Sequence, residues 1–155
     1  MDRVTPVAIA LGSNLGDRAA HLQHAASRLA ELLASLKISR WIETEPVGVG
    51  SQPRFLNGAA AGTTMLSARP LLEALLAIER ERGRERPFAG AARTLDLDLV
   101  LFGDAVIDEP GLVVPHPRFR ERRFVLEPLV EIAPEMVDPV TGLTVSEILR
   151  QRGAA

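Results

Sequence analysis

The sequence predicts an α+β domain: an antiparallel sheet in ferredoxin-like βαββαβ order, with two helices on one face and a C-terminal extension of short strands and helices. Three observations carry this expectation. Short apolar runs of strand length alternate with two longer segments in which Leu and Ala recur every three to four residues. Gly, Asn and Pro cluster where the period changes. A length of 155 residues is enough for one well-filled core, so 1–155 is expected to be a single domain.

In chain order, residues 7–11 form a continuous apolar run, as in a central strand. Gly12-Ser13-Asn14-Leu15-Gly16-Asp17 is a tight exit loop, with Asp17 placed to cap the next helix. No Gly-Lys-Ser/Thr follows, so this is not a Walker phosphate loop. The spacing of Leu22, Ala25, Leu29 and Leu32 predicts a helix over 18–35, with His21 and His24 on its flank as surface residues rather than ligands. Residues 37–44 alternate as a second strand, followed by a Pro/Gly-rich loop at 45–53 whose length suits a functional segment. Residues 55–64 form a third strand, softened by Gly58 and Gly62. Asn57 near its start suits either the edge of a heterocycle or an internally satisfied amide.

Ser67 opens a second helix with Pro70 in its first turn, and Leu71, Leu75 and Ile78 on its core face. Gly83 ends it. Arg80, Arg82, Arg84 and Arg86 alternate with Glu79, Glu81 and Glu85, a salt-bridged solvated face from whose far end Arg84 and Arg86 can reach a ligand. Residues 105–107 and 112–114 read as short strands around a turn at 108–111. A basic turn at 118–123 and helical segments at 124–132 and 145–150 complete the chain.

The chemistry concentrates in Arg93-Thr94-Leu95-Asp96-Leu97-Asp98-Leu99-Val100-Leu101-Phe102. Period two puts Leu95, Leu97, Leu99 and Leu101 on one face, and Asp96, Asp98, Val100 and Phe102 on the other. The two carboxylates then stand roughly 6.5–7 Å apart, a spacing that calls for a cation between them or for open solvent around them. Asp is depleted in strands, which makes a pair inside a leucine-rich run informative. His116, between Pro115 and Pro117 and just before four arginines, suits an anion-facing role or a backbone-bonded one. Carboxylates for hard cations beside arginines for phosphate are what a Mg²⁺–nucleotide needs.

Composition narrows the classes. A net charge of −2 gives no general attraction to nucleic acid or anionic membrane. The absence of Cys excludes thiolate chemistry and disulfides. Aromatics at 4% are too few for a stacking RNA-binding sheet. A metal-dependent phosphatase or nucleotidyltransferase would share the Asp pair. The N-terminus has no signal-peptide pattern and no apolar run approaches a membrane span, so a cytoplasmic location is expected.

Taken together, Gly12-Ser13-Asn14-Leu15-Gly16-Asp17, Phe55-Leu56-Asn57, Gly83-Arg84-Glu85-Arg86, Arg93-Thr94-Leu95-Asp96-Leu97-Asp98 and Val114-Pro115-His116 resemble the 6-hydroxymethyl-7,8-dihydropterin pyrophosphokinase (HPPK) family over nearly the whole chain. The resemblance implies transfer of a diphosphate from ATP to a pterin's hydroxymethyl group, with release of AMP, by a monomer. It implies two Mg²⁺ ions held by Asp96 and Asp98, with Arg84 and Arg93 stabilising the transferring group and Arg86 on a loop that closes over the site. His116, Arg122 and the Leu99 backbone would meet ATP. Thr44, Val47, Phe55, Asn57 and Phe124 would form the pterin pocket. The chain departs from many relatives at Ala89-Gly90-Ala91-Ala92, where they carry Arg-Trp-Gly-Pro, and at Phe55, where some carry Tyr.

Overall fold

A computed structural model describes residues 4–44, 54–83 and 94–154. Its elements are β1 (Thr5–Ser13), α1 (Arg18–Leu32), β2 (Ala34–Ile38), β3 (Ile42–Thr44), β4 (Phe55–Thr64), α2 (Ala68–Glu81), β5 (Asp96–Phe102), β6 (Ile107–Glu109), β7 (Leu112–Val114), a 3₁₀ turn (Phe119–Glu121), α3 (Arg123–Ile132) and α4 (Val145–Ala154). The main sheet runs β2–β4–β1–β5, with β3 also on β4, and every pair is antiparallel. β6 and β7 form a separate hairpin.

The continuous apolar run of β1 is explained by burial on both faces. Val7, Ile9 and Leu11 pack against Leu22 and Leu29 of α1 and Leu71 and Leu75 of α2. Ala8 and Ala10, with Ala59 of β4, face Phe119, Leu126 and Leu129 on the other side. The extension is therefore a second covering layer, built from α3 and α4.

Three expectations shift. The first helix stops at Leu32 rather than residue 35, because Leu33 closes it by donating its N–H to the Leu29 carbonyl and the chain turns straight into β2. Gly62 permits that turn: a Cβ there would lie 2.9 Å from the Ala34 carbonyl oxygen. The strand expected over 37–44 is broken between β2 and β3. Buried Ser39 bonds Ala59 through both its N–H and its Oγ. Arg40 then turns out of the sheet, giving its N–H and its guanidinium to Glu131 of α3 at 3.0 and 3.1 Å. The first hairpin strand, expected over 105–107, lies later as β6 at Ile107–Glu109, whereas β7 stands at Leu112–Val114 as expected, with Gly111 in the turn between them at φ +77°.

A further shift concerns β5. Ile9 pairs with Leu99 while Ala8 pairs with Leu101, so Val100 is an extra residue in the ladder. This bulge reverses the alternation. Leu101 joins Val100 in the core under α3, and Phe102 turns to the α1–α2 side, both opposite to the strict period-two expectation. Leu95, Leu97 and Leu99 remain on the α1–α2 face as expected.

Residues 118–123 are anchored from below. Asp138, fully buried, accepts from Arg120 Nε at 2.5 Å and Nη2 at 3.0 Å, from the Val140 N–H at 3.0 Å and from the Thr141 hydroxyl at 2.8 Å. Arg120 also lies 4.9 Å from the centroid of the buried Phe119 ring. Among the described residues no helix is long and apolar enough to cross a membrane.

Candidate active site

Strand register assembles the site at one end of the sheet. Gly12 stands opposite Asn57 on one side and Asp96 on the other, so Asn57, Gly12 and Asp96 form a row across three strands on the face away from α1 and α2. One step inward the row is Ala59, Ala10 and Asp98. Strands lie about 4.8 Å apart, which puts the Asn57 and Asp96 backbones about 10 Å apart with a side-chain-free gap at Gly12 between them. A Cβ on Gly12 would come within 2.9 Å of Asn57 Oδ1 and 3.6 Å of the Phe55 ring. Asn57 is buried and donates through Nδ2 to Thr44 Oγ1, so Thr44, Phe55 and Asn57 act as one wall. α3 packs across β4 and β3, and Phe124 in its first turn joins the core on that same face. The Arg122 guanidinium lies 5.6 Å from the Phe124 ring centroid, a cation–π distance.

The other half of the site follows the outer edge of β5. A cavity of about 240 Å³ is lined there by Leu72, Asp98, Leu99, Leu112 and His116, among others. The Leu97 N–H points to this edge, and strand alternation gives the Leu99 backbone the same direction. His116 is hung on β5 by its own N–H to the Val100 carbonyl at 2.9 Å. Its Nδ1 accepts the Arg118 N–H at 3.2 Å, which leaves the proton of a neutral ring on Nε2. Burial, then the neighbouring Arg122 and Arg118, hold its pKa below the ordinary 6.5 against the opposing pull of Asp96. His116 is thus a neutral N–H donor close to both Asp96 and Arg122.

A pH dependence follows. His21 is likewise held below 6.5, by burial first and then by Arg82, whose Nε donates to His21 Nδ1 at 2.9 Å. Between the folded values and 6.5 the unfolded chain binds more protons, so stability rises with pH through that window and levels off above it. Thermal melts from about pH 5 to 8 should show this slope, and His116→Gln should flatten it in part.

With this geometry in place, comparison with known proteins is decisive. A family model described as 7,8-dihydro-6-hydroxymethylpterin-pyrophosphokinase (HPPK) matches residues 8–134. The chain belongs to the HPPK family. The 2-amino-4-hydroxy-6-hydroxymethyldihydropteridine pyrophosphokinase of Bacillus subtilis is 44% identical over 136 residues, covering 86% of this chain and 81% of that one. The enzyme of that name from Synechocystis is 40% identical over 146 residues, covering 92% and 74%. A crystal structure of a Plasmodium falciparum HPPK-DHPS triple mutant with pteroate superposes with a TM-score of 0.75 at 14% identity. That match covers 97% of this chain and 43% of the longer one, and is a likeness of fold.

Within this HPPK-family chain, the structure brings Asp96, Asp98, Leu99 and His116 together along β5, and Thr44, Phe55 and Asn57 together on β3 and β4. Arg122 and Phe124 join them from the head of α3. Val47, Arg84, Arg86 and Arg93 lie outside the described residues. One residue was misread from sequence. Glu79, expected on the solvated face of the second helix, is 1% exposed, and its Oε2 accepts the Leu97 N–H at 2.6 Å. Helical spacing held a faint signal, because Glu79 follows Leu71, Leu75 and Ile78 at intervals that keep it beside the core stripe. The surrounding Arg/Glu alternation concealed it. The genuine surface pairing is made by Glu81, which takes both Arg28 and His24 from α1.

Proposed function

We propose that this chain transfers the diphosphate of ATP to the hydroxymethyl oxygen of 6-hydroxymethyl-7,8-dihydropterin, releasing AMP, as a step in folate biosynthesis. The observation that carries this reading is the row Asn57–Gly12–Asp96, which places the buried amide of the proposed pterin pocket about 10 Å from a carboxylate pair, across the gap at Gly12. In that pocket Asn57 and Thr44 read the polar edge of the pterin, with Phe55 and Phe124 against its ring faces. Gly12 leaves the floor flat. Asp96 and Asp98 fit Mg²⁺ by donor type: two hard carboxylates, with no larger acidic or His cluster among the described residues, leave the remaining positions to water and phosphate oxygens. Bound there, Mg²⁺ would screen the triphosphate's charge.

The chain's own groups do the rest. The cavity along β5 takes the nucleotide, with the Leu99 backbone facing its base. The His116 Nε2–H and the Arg122 guanidinium donate to phosphate oxygens. Arg84 and Arg93 neutralise the charge that develops as the pterin oxygen bonds the β-phosphorus and the bond to the leaving AMP oxygen breaks, while Arg86 belongs to the segment between the helix and the Asp strand. Catalysis then rests on position and charge, without a covalent enzyme intermediate. The antiparallel β2–β4–β1–β5 order supports the ferredoxin-like reading, and a monomeric cytoplasmic enzyme accords with the family.

The testing experiment incubates the chain with ATP, Mg²⁺ and 6-hydroxymethyl-7,8-dihydropterin and follows AMP. AMP should form in equal amount with pterin diphosphate, and only with all three present. ADP or inorganic phosphate as product, or AMP formed without pterin, overturns the assignment. Gly12→Ala should weaken pterin binding about tenfold, the cost of pushing Asn57 off its Thr44 bond, and leave nucleotide affinity within about twofold by calorimetry.

A further inference from the structure

We propose that Glu79 is a positioning residue whose buried carboxylate holds β5 in the orientation that aims Asp96 and Asp98. The proposal rests on the reading of those two residues as the pair that meets the metal–triphosphate. Glu79 lies in the last turn of α2 and is 1% exposed, next to the apolar face formed by Leu71, Leu75 and Ile78. Keeping a carboxylate there is costly unless it is bonded. Its Oε2 accepts the N–H of Leu97 at 2.6 Å, a short bond.

The position of that donor matters more than the bond's strength. Leu97 stands between Asp96 and Asp98, and its own side chain, 4% exposed, points into the opposite face. Among the described residues β5 is an edge strand, with its ladder on the β1 side and the His116 N–H bonded to the Val100 carbonyl further along. The outer edge of such a strand leaves backbone N–H and C=O groups without a ladder partner, and a small rotation at Leu97 would swing both carboxylates at once. The Glu79 bond fixes the free edge at the residue where such a rotation would pivot. It also joins the elements on either side of one stretch of sequence: α2 ends just before Gly83 and β5 begins just after Leu95, and the residues between include Arg84, Arg86 and Arg93. One carboxylate thereby ties the base of the arginine-bearing segment to the strand that carries the acidic pair.

The test uses the full chain as wild type, Glu79→Ala, Glu79→Gln and Asp98→Ala. Affinity for Mg²⁺ plus a non-hydrolysable ATP analogue, affinity for pterin, turnover and thermal stability are measured on each. In the metal-free protein, the Leu97 amide is followed by NMR and hydrogen exchange. Glu79→Ala should weaken Mg²⁺–nucleotide binding by about 10–100-fold, as loss of a partner behind a ligand does, with pterin affinity within about twofold of wild type and faster exchange at Leu97. Glu79→Gln retains an acceptor oxygen and should return nucleotide affinity to within about threefold. If Glu79→Ala does not fold, the Gln variant decides: a slow-exchanging Leu97 amide with near-normal nucleotide affinity upholds the proposal. Wild-type nucleotide affinity in a folded Glu79→Ala overturns it. So does equal loss of pterin and nucleotide affinity in proportion to the unfolded fraction, or a Gln variant as impaired as Ala at unchanged stability. Asp98→Ala separates the two layers. If it alone loses nucleotide affinity, the positioning role fails and the Asp reading stands; if it binds Mg²⁺–nucleotide like wild type, the Asp reading itself fails.

Discussion

Asp98→Ala should fold with a thermal midpoint close to wild type and lose about 10³-fold in turnover. Stability should hold because the strand is carried by other residues: Leu95, Leu97, Leu99 and Leu101 are 0–5% exposed, whereas the Asp98 side chain stands half-exposed on the far face, opposite Ala10. Turnover should fall because one of two carboxylates at the metal position is gone, and groups aimed at charge that develops in the transition state are worth about 10²–10³-fold each. Asp98→Asn keeps the shape and removes the charge. It should be nearly as impaired as Ala if charge is the contribution. The measurements are steady-state AMP formation and a thermal melt on the same preparation. A folded Asp98→Ala with wild-type turnover would refute the role.

The largest loss of stability should come from a residue far from the chemistry. Asp138→Ala should cost about 3–5 kcal/mol, as removing one partner of a buried ion pair does. The deleted carboxylate accepts from Arg120, Val140 and Thr141, and Arg120 lies in the turn between His116 and Arg122. For a domain whose total stability is about 5–15 kcal/mol, that loss should lower the thermal midpoint by about 6–20 °C. Urea melts should show it as a lower midpoint at unchanged slope. The pH sign is set as well. Burial pushes the Asp138 carboxyl up, but the Arg120 side chain, the Val140 N–H and the Thr141 hydroxyl outweigh it and hold the pKa below the usual 3.8. Its contribution is therefore present above about pH 4 and lost as pH falls through the depressed value. Asp138→Asn should fall between the two.

Much of the candidate site was legible along the chain. Asp96 and Asp98 stood out because a strand rarely carries two acids, and His116 because two prolines flank it. Asn57 stood out as an amide suited to a heterocycle's edge, Thr44 and Phe55 came from resemblance, and register puts the three close together: Thr44 pairs with Phe55, and Asn57 stands beside Gly12. Other features gave no local sign. Ser39 reads as one polar residue in an alternating strand, yet its Oγ closes the gap where that strand breaks. Asp138 reads as a turn residue before Pro139, and only the return of the chain beneath the 3₁₀ turn makes it a buried anchor.

Residue order alone determined the succession of strands and helices and the kind of chemistry at the site. Hydrophobic period and side-chain type are local properties, written wherever a segment begins and ends. Tertiary structure decided the bulge at Val100, the second covering layer, and the burial of Glu79 against Leu97. Each depends on what arrives from elsewhere in the chain: a ladder slips by one residue only relative to its partner strand, and a carboxylate is buried only when a neighbouring element closes over it.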